Sequence, residues 1–478
     1  MKLLFRIAGI LILALLAELT HGQNLKSILD QAPNQEAFWS VTVRDANGEI
    51  LESFNSEKVI IPASNQKLLT TAAILDHFGS DYQFETNIYG DGELERDIWK
   101  GNLIIKGSGD PSISGDLYDG DRYHVFEKFV AQLKVKGIEK IDGFLIADQS
   151  LFDSQLYPKG WDWYDFSFYY GVQISPLSFN NNAVDLEVFA DGEIGDTPRI
   201  TWFPDSTDYV DFENKQVISH PETEYDEYYR RELGGNKIVL GSSLPQGYYE
   251  DESLSVDDPL MFFLDSFKDY LNNNGIQFEG GIVVYGQAFE YDTTNVLATH
   301  FSKPMTELIK WANKESDNFY TEMLLKTLSA ETDNQPGSFE GGIKEVRNFV
   351  AKQGLDTTHI QMNDGSGMAG GNFNKTSLLS ELLVKMKDHQ EFDTYFSSMS
   401  VAGIDGTLAH RMKGTPLYRN FKGKSGFVTG VRTLSGYFEA KSGKQLIVSL
   451  AANNYISEKV RPIDAVHEQI LMYLYDKY

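Results

Sequence analysis

Apolar residues recur along the chain with two periods, and the switches between them predict the elements. Phe38 to Val43 and Ile50 to Phe54 read as two strands around Asp45-Ala46-Asn47-Gly48, since Asn-Gly favours tight hairpins. After Pro62-Ala63-Ser64, the apolar-rich run Leu68 to Phe78 has helical character and ends at Gly79, in the usual C-terminal capping place. Ser64 thereby falls at a helix start. From about Thr86 to Ala298 the texture becomes short β-like runs, such as Leu103 to Ile105, Gly143 to Ala147, Val184 to Phe189 and Gly281 to Tyr285, between Gly, Asp and Asn turns. This stretch reads as a β-rich insertion. Between Met305 and Leu328 two helical patterns flank the polar connector Lys314-Glu315-Ser316-Asp317, and Leu378 to Met386 repeats the pattern. The end returns to strands at Phe427 to Thr429, Gly436 to Ala440 and Leu446 to Leu450, with a final helix from about Ile463. No repeat of fixed period is present. This order of elements predicts an α+β or α/β architecture.

Length and charge narrow the function. At 478 residues the chain has room for two or three domains, and 41% hydrophobic with 23% charged residues is ordinary for a globular protein. A formal charge of −27 without a Lys/Arg cluster argues against a nucleic-acid partner. Lys2 and Arg6 precede the apolar run Ile7 to Leu16, and small or polar residues follow up to Gly22, which is the layout of a secretory signal peptide over 1–22. That run is too short to span a bilayer, and no later segment is apolar enough, so no transmembrane span is predicted, while peripheral membrane contact stays open. The mature chain is predicted to begin near Gln23 and to work outside the cytoplasm, in the periplasm or cell envelope. Zero Cys excludes disulfides, thiolate metal sites, a cysteine nucleophile and lipid attachment.

Three short motifs could carry chemistry. Ser64-Asn65-Gln66-Lys67 is the one Ser-x-x-Lys in the chain, and a three-residue helical step puts hydroxyl and amine on one face, close enough for proton transfer. Alone it is weak, since a capping Ser beside a solvated Lys reads the same way. Ser316-Asp317-Asn318 is one of three Ser-x-Asn sequences, with Ser53-Phe54-Asn55 and Ser178-Phe179-Asn180, but it is the copy on a connector between helices, where side chains can enter a cleft. Lys424-Ser425-Gly426 also has a double, Lys441-Ser442-Gly443, which reads as a hairpin turn. The earlier copy leads into a strand, where Lys424 can attract a substrate carboxylate, Ser425 can hydrogen-bond it and Gly426 lets the substrate backbone come close.

Other chemistries lack their signatures. There is no Gly-x-Ser-x-Gly or His-Glu-x-x-His, and nine scattered His give no ligand spacing, so neither a metal nor another cofactor is predicted. Gly107-Ser108-Gly109-Asp110 and Asp364-Gly365-Ser366-Gly367 read as turns, and the acids from Asp251-Glu252 to Asp257-Asp258 as a solvated loop.

The three motifs, in this order and with a long gap between the first two, resemble the class C low-molecular-mass penicillin-binding proteins, the D-alanyl-D-alanine carboxypeptidase/endopeptidase family. Pro62 to Lys67, Gly107 to Pro111, Pro176 to Asn182, Asp364 to Met368 and Ala402 to Leu408 carry the same resemblance, which spans nearly the whole mature chain. It implies an α+β fold: a β-lactamase/transpeptidase-like serine acyl-transferase domain, an antiparallel sheet with helices, formed by 23–85 and 299–478. That domain carries the insertion 86–298, expected to hold two subdomains. It further implies that Ser64 attacks the carbonyl of a D-alanyl bond in a peptidoglycan stem peptide with Lys67 as base. Ser316 and Asn318 would relay protons and position the amide, and Lys424 and Ser425 would hold the terminal carboxylate, with the N–H groups of Ser64 and Phe427 as oxyanion hole. β-Lactam antibiotics would be covalent inhibitors.

Two positions depart from the family's pattern: Ser425 stands where Thr is usual, and Phe427 where a hydroxyl residue is common, which removes a carboxylate contact and favours crosslink cleavage. Trp161-Asp162-Trp163-Tyr164-Asp165 resembles a stretch that in relatives faces the cationic end of the stem peptide, making Asp165 the candidate there. The competing readings are a β-lactamase or esterase, against which the long insertion speaks, and a catalytically weak wall-binding protein, against which the intact motifs speak.

Overall fold

A computed structural model describes residues 24–31, 34–204, 207–286, 290–333, 335–456 and 460–478; the expected signal peptide lies outside them. Six strands form one antiparallel sheet: β1 (Phe38–Asp45), β2 (Ile50–Phe54), β3 (Ser400–Val401), β4 (Lys422–Val428), β5 (Val431–Glu439) and β6 (Gln445–Asn453), in the order β3-β4-β5-β6-β1-β2. The β1–β2 hairpin turns as its sequence predicts, with Asp45 Oδ1 accepting the N–H groups of Asn47 and Glu49 at 3.0 Å and Gly48 at φ +89°.

Both faces of the sheet are covered, which is why β5 and β6 are longer and more continuously apolar than a half-exposed strand. On one face Tyr437 and Ile447 join a core with α1 (Lys67–Phe78), α2 (Met305–Lys314), α3 (Asn318–Asp333), the helix Phe339–Lys352 and α4 (Thr376–Met386). On the other, Leu434, Phe438, Val448 and Leu450 pack with Ile470 and Leu474 of α5 (Val460–Lys477). Leu68, Ile74, Leu75 and Leu324 are fully buried in the first core, each contributing about 1.5–3 kcal/mol of apolar burial.

A third core gathers buried residues from Ile88 to Ala298. Its largest sheet is mixed: Glu85–Glu95 pairs antiparallel with Ile98–Lys106 and Val296–Phe301, while Leu145–Asp148 lies parallel to both Ile98–Lys106 and Ile282–Tyr285. Three smaller sheets lie between residues 183 and 255. The region also contains two helices that its β-like texture hid, His124–Val135 and Pro259–Asn273. In the first, Val125, Phe126, Phe129, Val130 and Leu133 make one buried helical face, so its Phe and Val residues suit a strand by type and a helix by spacing. The acidic stretch near Asp251 is not a solvated loop: Tyr249–Ser255 is a strand paired with Ala183–Phe189, and Asp258 caps the second helix by accepting the Met261 N–H at 3.3 Å.

Among the described residues no helix is long and apolar enough to cross a membrane.

Candidate active site

Ser64 lies in a 3-10 turn, Ala63–Gln66, that runs straight into α1. The turn is held under tension: Ala63, fully buried, sits at φ +45°, a region costly for a residue with a Cβ. Pro62 O, just before it, accepts from the Thr433 hydroxyl of β5 at 2.8 Å. Ser64 itself is partly exposed, while Asn65, Gln66 and Lys67 are buried around it.

The Lys67 amine is completely buried and has three partners, Asn318 Oδ1 at 2.7 Å, Ser366 O at 2.9 Å and Ser64 Oγ at 3.3 Å. Burial lowers its pKa to about 8, against the opposing pull of Asp364, Glu322 and Asp317. A neutral amine donates two hydrogens, and with these on Asn318 and Ser366 its lone pair faces the Ser64 hydroxyl.

The connector between α2 and α3 brings in the second motif. Ser316 is at φ +63°, and Asp317 caps α3 by accepting the Tyr320 N–H at 2.9 Å, so Asn318 begins the helix facing Lys67. The Asn318 amide nitrogen donates to Tyr170 O at 3.0 Å, which fixes its oxygen toward the lysine. The third motif lies inside β4. Lys424, fully buried, donates to Ser316 Oγ and to Ser425 O, both at 2.8 Å; burial first, then Lys67 and Arg432, hold its pKa well below the usual lysine range. Ser425 Oγ donates to Thr407 Oγ1 at 2.7 Å. Asn65 ties the turn to this strand, its amide nitrogen on Lys424 O at 2.8 Å and its oxygen on Ser435 Oγ at 2.7 Å, in the orientation that satisfies both groups.

At Gly426 the β4 backbone comes close to the Ser64 turn. A Cβ there would stand 2.3 Å from Thr433 Oγ1, 2.9 Å from Ser64 N and 3.0 Å from Pro62 O, so the missing side chain lets β4 lie against the Ser64 turn. Phe427 beside it is 48% exposed, its ring 5.8 Å from the guanidinium of Arg432, which makes a bidentate pair with Asp464 at 2.8 Å. Asp165 begins a 3-10 turn, Asp165–Ser167, in the segment leading to Tyr170, and is half-buried. Burial, then the charge of Asp162, push its carboxyl above the usual range.

The duplicate motifs serve structure. Lys441-Ser442-Gly443 is the β5–β6 turn, Asn55 donates to Trp39 O at 3.0 Å, and Asn180 to Ala183 O at 3.0 Å.

Sequence reasoning passed over the segment Asp364–Ala369, which lines the site rather than merely turning. Gly365 O accepts from Thr70 at 2.7 Å, Ser366 O receives Lys67, and a Cβ on Gly367 would stand 1.9 Å from Ala63 O. Two buried carboxylates fasten it. Asp364 accepts from the N–H groups of Gly367 at 2.7 Å and Ala369 at 2.6 Å and from Trp161 Nε1 at 2.9 Å; Glu322 accepts from those of Gly365 at 3.0 Å and Ser366 at 2.7 Å. A signal for Glu322 existed, since it stands one helical turn after Asn318 on α3, but only the fold reveals what it meets.

The chain that builds this site is similar to known proteins over most of its length. Residues 21–471 match the D-Ala-D-Ala carboxypeptidase 3 (S13) family. The chain belongs to that family. It is 30% identical over 448 residues to the D-alanyl-D-alanine carboxypeptidase of Actinomadura sp. (strain R39), covering 91% of this chain and 81% of the relative. It is 25% identical over 436 residues to D-alanyl-D-alanine carboxypeptidase DacB of Haemophilus influenzae, covering 90% and 88%. The crystal structure of penicillin binding protein 4 (dacB) from Haemophilus influenzae superposes with a TM-score of 0.83 at 24% identity, over 95% of this S13 chain and all (100%) of the other. The fold is therefore the α+β transpeptidase-like one with an insertion.

Proposed function

We infer that this S13 protein is a serine-type D-Ala-D-Ala carboxypeptidase/endopeptidase that works through an acyl-enzyme on Ser64. One observation carries the reading: the buried Lys67 amine, lowered to about 8, has Ser64 Oγ as one of its three hydrogen-bond partners. Neutral Lys67 takes the hydroxyl proton as Ser64 Oγ attacks the carbonyl, and the N–H groups of Ser64 and Phe427 receive the oxyanion. The proton then passes to the leaving amine through Ser316, whose hydroxyl is oriented by the hydrogen bond it accepts from the Lys424 amine at 2.8 Å. Asn318 positions the substrate amide, Lys424 and Ser425 attract a terminal carboxylate, and water attacks the ester to release Ser64.

The proposed substrates are peptidoglycan stem peptides, with Asp165 facing their cationic end, and β-lactams acylate the same serine. A complex of the Haemophilus influenzae protein with a β-lactam is the parallel for the inhibitor. We assign the catalytic unit to 23–85 and 299–478 and the insertion to 86–298, in a chain exported to the periplasm or cell envelope. With Phe427 in place of a hydroxyl, cleavage of crosslinks is favoured over trimming of free termini.

The deciding experiment is labelling with a fluorescent penicillin. A stable adduct on wild type and none on Ser64→Ala supports the reading; rapid loss of the label means a β-lactamase, and an adduct on another residue refutes it.

A further inference from the structure

Lys67 acts as a base only if its amine is held with the lone pair toward Ser64, and one of the two acceptors that hold it is a backbone carbonyl, Ser366 O at 2.9 Å. A carbonyl has no rotamer of its own; its direction is that of the peptide unit carrying it. The N–H of that same unit, Gly367 N, ends on Asp364 Oδ1 at 2.7 Å, and the two N–H groups before it, Gly365 N and Ser366 N, both end on Glu322, whose Oε1 accepts them at 3.0 and 2.7 Å. Glu322 is fully buried. On α3 it stands one turn beyond Asn318, whose Oδ1 is the other acceptor for Lys67 at 2.7 Å. One helix therefore acts on both acceptors: it carries Asn318, and through Glu322 it holds the peptide that precedes the Ser366 carbonyl, while Asp364 holds the N–H that follows it.

We propose that Glu322 is a positioning residue of the catalytic machinery, which holds the Ser366 carbonyl so that the Lys67 amine presents its lone pair to the Ser64 hydroxyl. Burying a carboxyl group this deeply is costly, and it is tolerated because the loop wraps it with N–H donors. Ser366 is gripped on both sides: Asp364 binds the Gly367 N–H of the peptide that carries the carbonyl, together with the Ala369 N–H and the Trp161 indole, from within the loop itself. Glu322 adds its two bonds beside the one peptide whose carbonyl touches the lysine. The proposal rests on Lys67 serving as base to Ser64.

The charged groups around Lys67 are Asp364, Glu322 and Asp317, which favour its ammonium, and Lys424, held down by burial first and then by the Lys67 charge; burial first, then the Asp364 charge, pushes the Glu322 carboxyl itself up to about 8. Loss of the Ser366 acceptor removes a bond that stabilises the ammonium, so the amine becomes more acidic and the rising limb of acylation moves to lower pH; Leu and Gln also remove the Glu322 charge, which moves the limb the same way, so the limb is read in Glu322→Asp, which keeps the charge.

The test compares Glu322→Asp, Glu322→Leu and Glu322→Gln in the full chain, by penicillin acylation across pH, with thermal unfolding measured alongside. The Asp side chain is one methylene short and the Leu side chain accepts nothing, so both lose about tenfold or more in maximal acylation rate with little change in the penicillin concentration for half-maximal rate, and with the limb displaced to lower pH. Gln keeps an acceptor oxygen at the right reach and recovers most of the loss. Should Glu322→Leu fail to fold, the Asp and Gln pair decides alone. Equal acylation and an unmoved pH limb in Glu322→Asp and wild type overturn the proposal, as does a Gln variant no better than Asp. Ser64→Ala run in parallel separates the two failures: an adduct there means that the serine mechanism is wrong, whereas no adduct with unaffected Glu322 variants means that only the positioning role is.

Discussion

The Lys67 amine lies 2.7 Å from Asn318 Oδ1, closer than to the Ser64 hydroxyl it is proposed to deprotonate at 3.3 Å. The first and second motifs thus meet at this amine, which is why neither can be read as chemistry without the other. With its pKa lowered to about 8 by burial, the amine is mostly protonated below that pH and mostly free above it. Penicillin acylation should rise from about pH 6 to about pH 9, with an apparent pKa of about 8. Lys67→Arg, protonated throughout, should abolish the rise. Stopped-flow acylation across pH checks both, and a flat profile would mean another base.

The two Lys-Ser-Gly copies give a sharper contrast. Lys424 is fully buried and donates to Ser316 at 2.8 Å, whereas Lys441 is exposed on the β5–β6 turn and pairs loosely with Asp476 at 3.5 Å. Lys67→Ala and Lys424→Ala should each depress acylation by about 10²-fold or more, and Lys441→Ala should leave it within experimental scatter. If Lys441→Ala is the inactive one, the third motif has been misplaced.

These contrasts mark what the sequence could carry. Ser64 and Lys67 are legible because three residues of helix suffice to bring them together, and Ser316 because a polar connector between two apolar helical patterns stands out locally. Lys424 is separable from Lys441 by local context, since one copy leads into a strand and the other joins two strands as a hairpin turn. Glu322 and Ser366 are not legible: one acts through backbone N–H groups 43 and 44 residues away, and the other contributes a carbonyl, which leaves no trace in residue type. The helix His124–Val135 is hidden because Phe and Val fit both periods, and the strand at Tyr249–Ser255 because its acidic residues suit a loop by type and its pairing partner, Ala183–Phe189, lies about 60 residues earlier in the chain.

Gly367 offers a test of the loop's close fit. It sits at φ +89°, and a Cβ would stand 1.9 Å from Ala63 O, inside the strained turn that carries Ser64. Gly367→Ala should lower stability by about 1–3 kcal/mol and reduce acylation, because the turn must shift. Gly354→Ala is the control, at φ +78° with nothing within 4 Å: it carries backbone strain without the collision, so acylation should be unchanged. Calorimetry with penicillin labelling distinguishes them, and equal activity loss in both would put the cost in backbone strain alone.

Phe427 bears on the choice of substrate. Its side chain is 48% exposed, and it brings no hydroxyl to a substrate carboxylate. Phe427→Thr should raise the rate on free D-Ala-D-Ala termini relative to crosslinked peptides, by about 1 kcal/mol or roughly fivefold for one added neutral hydrogen bond. Chromatography of digests of defined muropeptides measures the ratio. An unchanged ratio would mean that the carboxylate is held entirely by Lys424 and Ser425.

Asp165 tests the other end of the peptide. The carboxyl is half-buried, and burial together with the Asp162 charge pushes its pKa up, so a cationic partner would relieve it. A charge-assisted hydrogen bond from the amine of a stem peptide is worth roughly 1.5–3 kcal/mol where well shielded, and less at this partial exposure. Asp165→Asn should therefore lower kcat/KM on peptides with a free diamino-acid side chain, spare those in which that amine is acetylated, and leave penicillin acylation nearly unchanged, because simple penicillins lack the amine. Competition between free and acetylated peptides reads the preference directly. If variant and wild type prefer the free amine equally, Asp165 does not face it, and the aromatic segment around Trp163 and Tyr164 has only a structural part in the cleft.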